Sequence, residues 1–250
     1  MLLNEMSWTE AKKYFAKNDM AIFPVGSNEQ HGPHNPLGTD CLIAQALAQK
    51  AAERSGVLCL PVVPFGVSSH HKQFWGTVFI SPTTFKSYVK EVCLSLRYYG
   101  VKKIVIVNGH GGNLDALKQL ARELRELDVF VSVFQWWTAA AELLPDLFKP
   151  GERSHACAEE TAMNLLLHPN LVKMKSAADE VLKEYIFENA GVSLPLDIAD
   201  YSASGVLGKS STASPRKAKK VFDAVVGELV RHIDALKKMR SKDLAQKSKA

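Results

Sequence analysis

Residues 20–56 of this 250-residue chain have the sequence MAIFPVGSNEQHGPHNPLGTDCLIAQALAQKAAERSG, and this stretch decides the fold class. Its beginning, MAIFPVG, is a short apolar run that predicts a buried strand. From Asp40 onward, apolar residues at helical spacing predict a helix with an acidic N-cap, which Gly56 ends. A buried strand followed by such a helix is typical of α/β folds, whose ligands bind at the carboxyl ends of the strands.

The loop inside this stretch, GSNEQHGPHNPLGTD at 26–40, concentrates ionisable side chains. It holds Glu29, His31, His34 and Asp40 among glycines and prolines, in a segment that cannot form a regular helix. Turns require glycine and proline, but they do not require these ionisable side chains together. The loop residues are therefore either solvated or part of a site.

The alternation of strands and helices continues along the chain. The predicted strands after the first are VLCLPVVPF at 57–65, KKIVIV at 102–107 and DVFVSVFQWW at 128–137. The predicted helices are 7–18, opened by a capping box of Ser7 and Glu10, then 81–100, 114–127, 138–148 and 214–236, with irregular loops over 170–212. This order favours a mostly parallel sheet with helices on both faces, a three-layer αβα sandwich.

Composition and charge predict one domain and a basic tail. The chain is 46% hydrophobic and 23% charged, as expected for a globular domain, which we assign to residues 1–236. The tail, 237–250, holds six Lys or Arg and one Asp, so it accounts for the whole net charge of +5. A basic excess confined to one end is more typical of a solvated terminus than of a nucleic-acid surface. We therefore expect no nucleic-acid partner.

The sequence also bears on cellular location. No apolar run approaches the roughly 20 residues that a membrane span needs, and the first residues lack a signal-peptide pattern. The cysteines, Cys41, Cys59, Cys93 and Cys157, are scattered, which fits a reducing compartment. We expect a cytoplasmic protein without a membrane partner.

A second group of candidate residues follows the strand KKIVIV. The motif NGHGGN at 108–113 places His110 at the same predicted sheet edge as the first loop. In extended backbone, Glu29 and His31 point the same way, and Asp40 can fold back toward them across the glycine turns. Carboxylates combined with imidazoles form a ligand set suited to Zn²⁺, Mn²⁺ or Fe²⁺.

Each of these residues also has a simpler explanation. Asp40 alone is explained by helix capping, His34 by a local hydrogen bond in a turn, and His110 by a surface loop. The motif NGHGGN resembles an anion-binding glycine loop, but it lacks the lysine of a phosphate loop and the spacing G-x-G-x-x-G. The convergence of both groups on one sheet edge favours a site over coincidence.

A third group lies in SHACAEET at 154–161. His155 directly precedes a predicted helix, and Glu159 and Glu160 fall in its first turn. The helix dipole accounts for one acidic residue there. It does not account for a histidine and a carboxylate directed at the same sheet edge.

Five motifs together resemble the creatininase (creatinine amidohydrolase) family over nearly the whole chain. They occur in the family's order and spacing: GSNEQHGPHNPLGTD, GVSSHHKQFWGT at 66–77, NGHGGN, HACAEET at 155–161 and SGVLGKSSTAS at 204–214. The resemblance implies a metal-dependent hydrolase of C–N bonds in small or cyclic amides, with a compact α/β fold and a two-metal site. It also implies a homo-oligomer, often a hexamer.

The resemblance further implies roles for individual residues. His155 matches the histidine proposed to pass a proton to the leaving nitrogen, and backbone N–H groups of Gly111 and Gly112 help to stabilise the oxyanion. Asp40 is the natural bridge between two divalent ions of Zn, Mn or Fe. The metal ligands implied are Glu29, His31, Asp40, His110 and Glu160, with Glu159 as the alternative to Glu160.

Several positions depart from the family pattern, and they argue against creatinine as the substrate. Gly111 and Gly112 stand where creatinine-hydrolysing members supply a ligand glutamate. PGERSH at 150–155 lacks their pocket tryptophan, Ala158 replaces a carboxylate, and Trp75 replaces a proline. Activities within the family include pyrimidine deformylation, hydrolysis of a cyclic inositol-derived ketone and trimming of a peptide precursor. A non-catalytic member with a degenerate site is a further alternative.

The sequence leaves the other candidate contacts open. Trp136 and Trp137 end a predicted strand at the site edge, where Trp137 either lines the substrate pocket or belongs to the core or an interface. His34 is a residue behind the ligands or a substrate contact. His70 and His71 either contact substrate, for which we select His71, or form hydrogen bonds within their loop.

Overall fold

The computed structural model describes residues 1–180 and 194–244. Its sheet has the strand order β2-β1-β3-β4, and each of these strand pairs is parallel. The strands are β1 Met20–Val25, β2 Leu58–Cys59, β3 Lys103–Asn108 and β4 Phe130–Gln135. Val25 pairs with Asn108, which pairs with Gln135, so three strands end level at one edge. Both predicted ligand loops leave the sheet there.

Helices cover both faces of the sheet. They are α1 Trp8–Phe15, α2 Thr39–Ser55, α3 Pro82–Tyr98, α4 Leu114–Arg125, α5 Trp136–Leu143, α6 Ala158–Leu167, α7 Ile198–Tyr201, α8 Pro215–Lys238 and α9 Ser241–Leu244. Ile22 and Val105 on one face pack against α2, α5, α6 and α8. Ala21 and Ile104 on the other face pack against α3 and α4. The predicted αβα sandwich is confirmed.

Local sequence signals account for most helix boundaries. Ser7 and Glu10 form the predicted capping box of α1, and Gly56 ends α2 with a φ of 72°. The prediction of Asp40 as an N-cap is wrong, because Gly38 occupies that position and Asp40 lies in the first turn. The carboxylate of Asp40 is therefore free to face the sheet edge.

Two predicted elements are shorter or of another type. The strand predicted over 57–65 contains only β2, because Pro61 and Pro64 have no N–H to donate to a sheet ladder. Trp136 and Trp137 do not end β4 but begin α5, which stops at Leu143. Trp136 is buried in the core.

The C-terminal region packs on the domain as far as it is described. Helix α8 extends through Lys238, and its apolar stripe of Ala218, Val221, Val225 and Leu229 is buried. Leu244 in α9, inside the predicted tail, is also buried. Residues 245–250 of that tail and residues 181–193 of the predicted loop segment lie outside the described residues. Within the described ranges, no helix has the length and apolar character needed to cross a membrane.

Candidate metal centre

Close backbone approach brings the two ligand loops together. A Cβ on Gly109 would lie 2.3 Å from the backbone oxygen of Asp40, so only glycine allows the loop after β3 to pack against the first turn of α2. The loop after β1 folds back through the hydrogen bond from Glu29 N to Leu37 O, 2.9 Å long. Gly32, with a φ of 67°, supplies the turn that follows His31.

Glu29, His31, Asp40 and His110 form one buried cluster at the sheet edge. His31 Nε2 lies 3.0 Å from Asp40 Oδ1, and His110 Nδ1 lies 3.3 Å from Asp40 Oδ2. His110 Nδ1 is also 3.0 Å from Glu29 Oε2. These side chains therefore lie together as predicted, although Glu29 and His31 follow β1, Asp40 is in α2 and His110 follows β3.

The start of α6 adds Glu160 and His155 to the cluster. Glu160 Oε2 lies 3.7 Å from His31 Nε2 and accepts a 2.7 Å hydrogen bond from Ala156 N. His155 Nδ1 lies 3.8 Å from Glu29 Oε1. Glu159 turns instead toward Arg153, whose Nη1 is 3.3 Å from its Oε1. Of the two neighbouring carboxylates, the geometry therefore directs Glu160 at the cluster.

Unsatisfied buried atoms show that the cluster fits a cation. Both carboxylate oxygens of Glu29, Nε2 of His31 and Oδ2 of Asp40 are buried without a hydrogen-bond partner in the part of the chain that the structure describes. Each such atom costs roughly 1–3 kcal/mol. Ligand atoms of Glu29, His31 and Asp40 lie within 4.8 Å of one another. The oxygen and nitrogen donors suit Zn²⁺, Mn²⁺ or Fe²⁺.

Groups around the cluster fix the orientation of its ligands. Val67 O lies 2.9 Å from His110 Nε2, which must therefore carry a proton, so the nitrogen that a metal would use is Nδ1, facing the carboxylates. His71 Nε2 lies 3.2 Å from Glu29 Oε1. His71, for which the sequence left a substrate contact or a loop hydrogen bond open, is thus in contact with the predicted ligand Glu29.

Gln30 connects two of the surrounding histidines. Its Oε1 accepts a 2.8 Å hydrogen bond from Gly32 N, which directs Nε2 toward the imidazoles. Nε2 lies 2.9 Å from His71 Nδ1 and 2.8 Å from His155 Nε2. The same Nε2 also donates to Gly205 O, at 3.1 Å, so its second hydrogen is shared between the two ring nitrogens.

A cavity of about 550 Å³ opens above the cluster. Four predicted substrate contacts line it: His71, Gly111, Gly112 and Trp137. His34 does not line it, because this side chain is buried and its Nε2 lies 2.8 Å from Thr161 Oγ1 on α6. Of the two positions predicted for His34, the structure thus places its side chain behind the ligands.

Comparison with known proteins decides the family. The family model described as "Creatininase: Creatinine amidohydrolase" matches residues 4–233. The chain belongs to the creatininase family. The resemblance inferred from the motifs is confirmed, and with it the prediction of an enzyme, since the family consists of hydrolases.

Individual creatininase relatives match most of the chain. Creatinine amidohydrolase of Pseudomonas putida is 29% identical over 245 residues, covering 90% of this chain and 93% of the relative. The mycofactocin precursor peptide peptidase of Mycolicibacterium smegmatis is 31% identical over 223 residues, covering 83% and 81%. A crystal structure of creatinine amidohydrolase (creatininase) matches with a TM-score of 0.81 and 27% identity, covering 96% and 98%. Solved creatininase structures include a manganese form and a Zn–Zn form of a mutant.

Electrostatics divide the histidines of the site into two kinds, those with a raised pKa and those with a lowered pKa. Burial opposes protonation of His31, but the carboxylates of Asp40 and Glu160 raise its pKa to about 10. Burial likewise opposes protonation of His110, yet Glu29 and Asp40 raise its pKa well above the usual value. Without metal, both imidazoles hold protons at neutral pH, and a bound cation must displace them.

The histidines on the other side of the cluster are neutral. Burial, together with His31 and His71, holds the pKa of His155 well below its usual value. Burial and the neighbouring His70 lower the pKa of His71 to about 2. Burial also raises the pKa of Glu160 to about 7. At neutral pH, His155 is therefore uncharged in the metal-free protein, and one of its ring nitrogens has a lone pair.

The sequence did not single out Gln30 or Arg153. Gln30 lies between two predicted ligands, but its partner His155 is 125 residues away, so spacing could not reveal the contact. Arg153 lines the cavity two positions before His155. A single arginine in a loop forms no sequence motif, so the position of Arg153 in the cavity wall is evident only from the structure.

Proposed function

We propose that this protein is a metal-dependent hydrolase that cleaves a C–N bond of a small amide, cyclic amide or formamide. The observation that carries the proposal is the position of Asp40, whose two oxygens face His31 and His110 at 3.0 and 3.3 Å. One carboxylate between two separate imidazoles would suit a ligand shared by two ions. Two ions, of Zn, Mn or Fe, are the cofactor that this arrangement supports.

The predicted ligand set divides between the two sides of this carboxylate. On one side are His31 and Glu160, and on the other are Glu29 and His110. When bound, divalent ions lower the pKa of water toward neutrality and polarise a carbonyl group. The buried position of the ligands and the absence of competing hydrogen bonds to Glu29 keep the donor atoms available.

His155 is the residue that we assign to proton transfer. It lines the cavity, is neutral at pH 7 and lies beside Glu29. It takes up a proton as the nucleophilic water attacks the carbonyl and gives that proton to the leaving nitrogen as the C–N bond breaks. Gln30 holds the ring in place through its Nε2 contact of 2.8 Å.

The cavity supports a small substrate. A volume of about 550 Å³ lies in the range that small-molecule sites occupy. Gly111 and Gly112 line it directly after His110, where their backbone N–H groups are candidates for oxyanion stabilisation. Trp137 on α5 and Ile198 on α7 supply apolar walls.

The surface supports the proposal of a homo-oligomer. Trp75 is 97% exposed, Tyr98 85% and Trp8 76%. Large exposed aromatic side chains of this kind are enriched at protein–protein interfaces. Light scattering after size exclusion tests this part, and we expect an assembly larger than a monomer.

The experiment that tests the function is a substrate screen on protein loaded with Zn²⁺ or Mn²⁺. The screen contains creatinine, other cyclic amides, formamides, lactones, cyclic ketones and peptides. We expect hydrolysis of a C–N bond that His155→Ala reduces at unchanged metal content. Activity only on the ketones or lactones, or no activity in protein that holds metal, would overturn the proposal.

A further inference from the structure

The cavity that holds the candidate centre has an uneven charge distribution. Its lining includes the carboxylates of Glu29, Asp40, Glu159 and Glu160. Among the lining residues within the described ranges, Arg153 is the only lysine or arginine. The carboxylates of Glu29, Asp40 and Glu160 belong to the metal centre, whereas Arg153 has no role there.

The guanidinium of Arg153 is held on one side only. Its Nη2 donates to Leu144 O, and its Cζ lies 5.2 Å from the centre of the Phe148 ring. Its Nε and Nη1 are buried, and no described residue offers either of them a hydrogen-bond acceptor. The side chain is thus fixed by the protein at the cavity wall, while two of its donor atoms lack an acceptor among the described residues.

An ordinary structural ion pair with Glu159 does not account for this arrangement. Arg153 Nη1 lies 3.3 Å from Glu159 Oε1, yet the geometry forms no hydrogen bond. Glu159 Oε1 is itself buried without a donor. A pair that served stability alone would be expected to satisfy both partners, because buried charged groups without hydrogen bonds are costly.

We propose that Arg153 binds a carboxylate group of the substrate, so that the preferred substrate is a small anionic amide. This inference rests on the proposed function, since it assigns the substrate class of the same cavity. Guanidinium donors form strong charge-assisted hydrogen bonds with carboxylates. The carboxylate of Glu159, beside Arg153, lines the same cavity and suits an N–H group of the same substrate. Arg153 therefore determines specificity and takes no part in bond cleavage.

The test compares binding of two uncleavable probes to metal-loaded protein by isothermal titration calorimetry. The probes are a cyclopentanone that carries a ring carboxylate and the same ring with a hydroxymethyl group in its place. We expect the carboxylate probe to bind roughly tenfold or more tightly, since hydrogen bonds to charged groups contribute on that scale. Arg153→Gln removes this preference, whereas Arg122→Gln, at an exposed position on α4, retains it.

Equal binding of both probes to the wild type overturns the proposal, and so does a preference that survives in Arg153→Gln. If Arg153→Gln does not fold, Arg153→Lys replaces it, with a weaker preference expected because the charge remains. Hydrolysis of amides without a carboxylate preference contradicts only the role of Arg153. A carboxylate preference in protein that cleaves no C–N bond contradicts only the proposed function.

Discussion

His31 Nε2 lies 3.0 Å from Oδ1 of Asp40, although His31 belongs to the loop after β1 and Asp40 to the first turn of α2. The other oxygen of the same carboxylate faces His110, at 3.3 Å. Asp40 thus joins the two strand ends that carry the candidate ligands.

Metal binding is expected to release protons. The raised pKa values of His31, about 10, and of His110 keep both imidazoles protonated in the metal-free protein at pH 7. A cation needs the lone pairs, so binding displaces roughly two protons, and apparent affinity falls as the pH is lowered. Calorimetry in buffers of different ionisation enthalpy counts these protons. His31→Gln should release fewer, and release of no proton from the wild type would contradict this electrostatic account.

The same pKa shift affects the stability of the metal-free protein. Because the folded pKa of His31, about 10, exceeds its unfolded value of 6.5, protonated His31 stabilises the fold fully below about pH 6.5. This contribution is lost as the pH rises through about 10. Denaturant unfolding of metal-free wild type and His31→Gln over this pH range measures it. The difference between the two proteins should shrink as the pH rises.

Glu160 and Glu159 provide a matched pair of substitutions. Glu160 faces His31, whereas Glu159 faces Arg153. We expect Glu160→Gln to weaken metal binding by at least about tenfold and Glu159→Gln to leave it nearly unchanged. Competition with a chelator of known affinity measures both. The reverse order of effects would assign the ligand to Glu159.

Gly112 and Gly111 provide a second matched pair. A Cβ on Gly112 would lie 2.2 Å from Val67 O and 2.5 Å from His110 Nε2, whereas a Cβ on Gly111 would meet no atom within 4 Å. Gly112→Ala should therefore break the contact that orients His110 and destabilise the protein by about 1–3 kcal/mol. Gly111→Ala serves as the control. Equal stability of both variants in urea would show that the loop accommodates a side chain.

Gln30 is predicted to act through His155. Gln30→Glu keeps the shape but replaces the donating N–H₂ with a carboxylate, which raises the pKa of His155. We expect activity on the screened substrate to fall roughly 10–100-fold and its acid limb to move to higher pH, with metal content retained. Activity lost without a shift of the pH profile would indicate a purely structural role.

Local signals were sufficient to predict most of the fold. The apolar runs of β1 and β3 and the capping residues Ser7 and Gly56 determine their elements within a few residues. The exceptions have physical causes. Trp136 begins a helix because its ring is buried in the core beside α8, which is a tertiary effect that strand propensity does not contain.

The candidate site was predictable only in part. The predicted metal ligands converge, because the ends of adjacent parallel strands must meet at one sheet edge. The contacts of His71, Gln30 and Arg153 depend on how distant loops pack, and neither spacing nor composition encodes such packing. The displacement of His34 from the cavity follows from its contact with Thr161, 127 residues away.

Metal analysis of Asp40→Asn tests the central claim most directly. Wild type and variant are equilibrated with Zn²⁺ or Mn²⁺, freed of loosely bound ions and measured by elemental analysis. The account predicts about two ions per wild-type chain, as expected for a carboxylate-bridged pair, and a clear loss in a folded Asp40→Asn variant. Wild-type protein that retains no metal, or an Asp40→Asn variant that retains the full wild-type content, would contradict it.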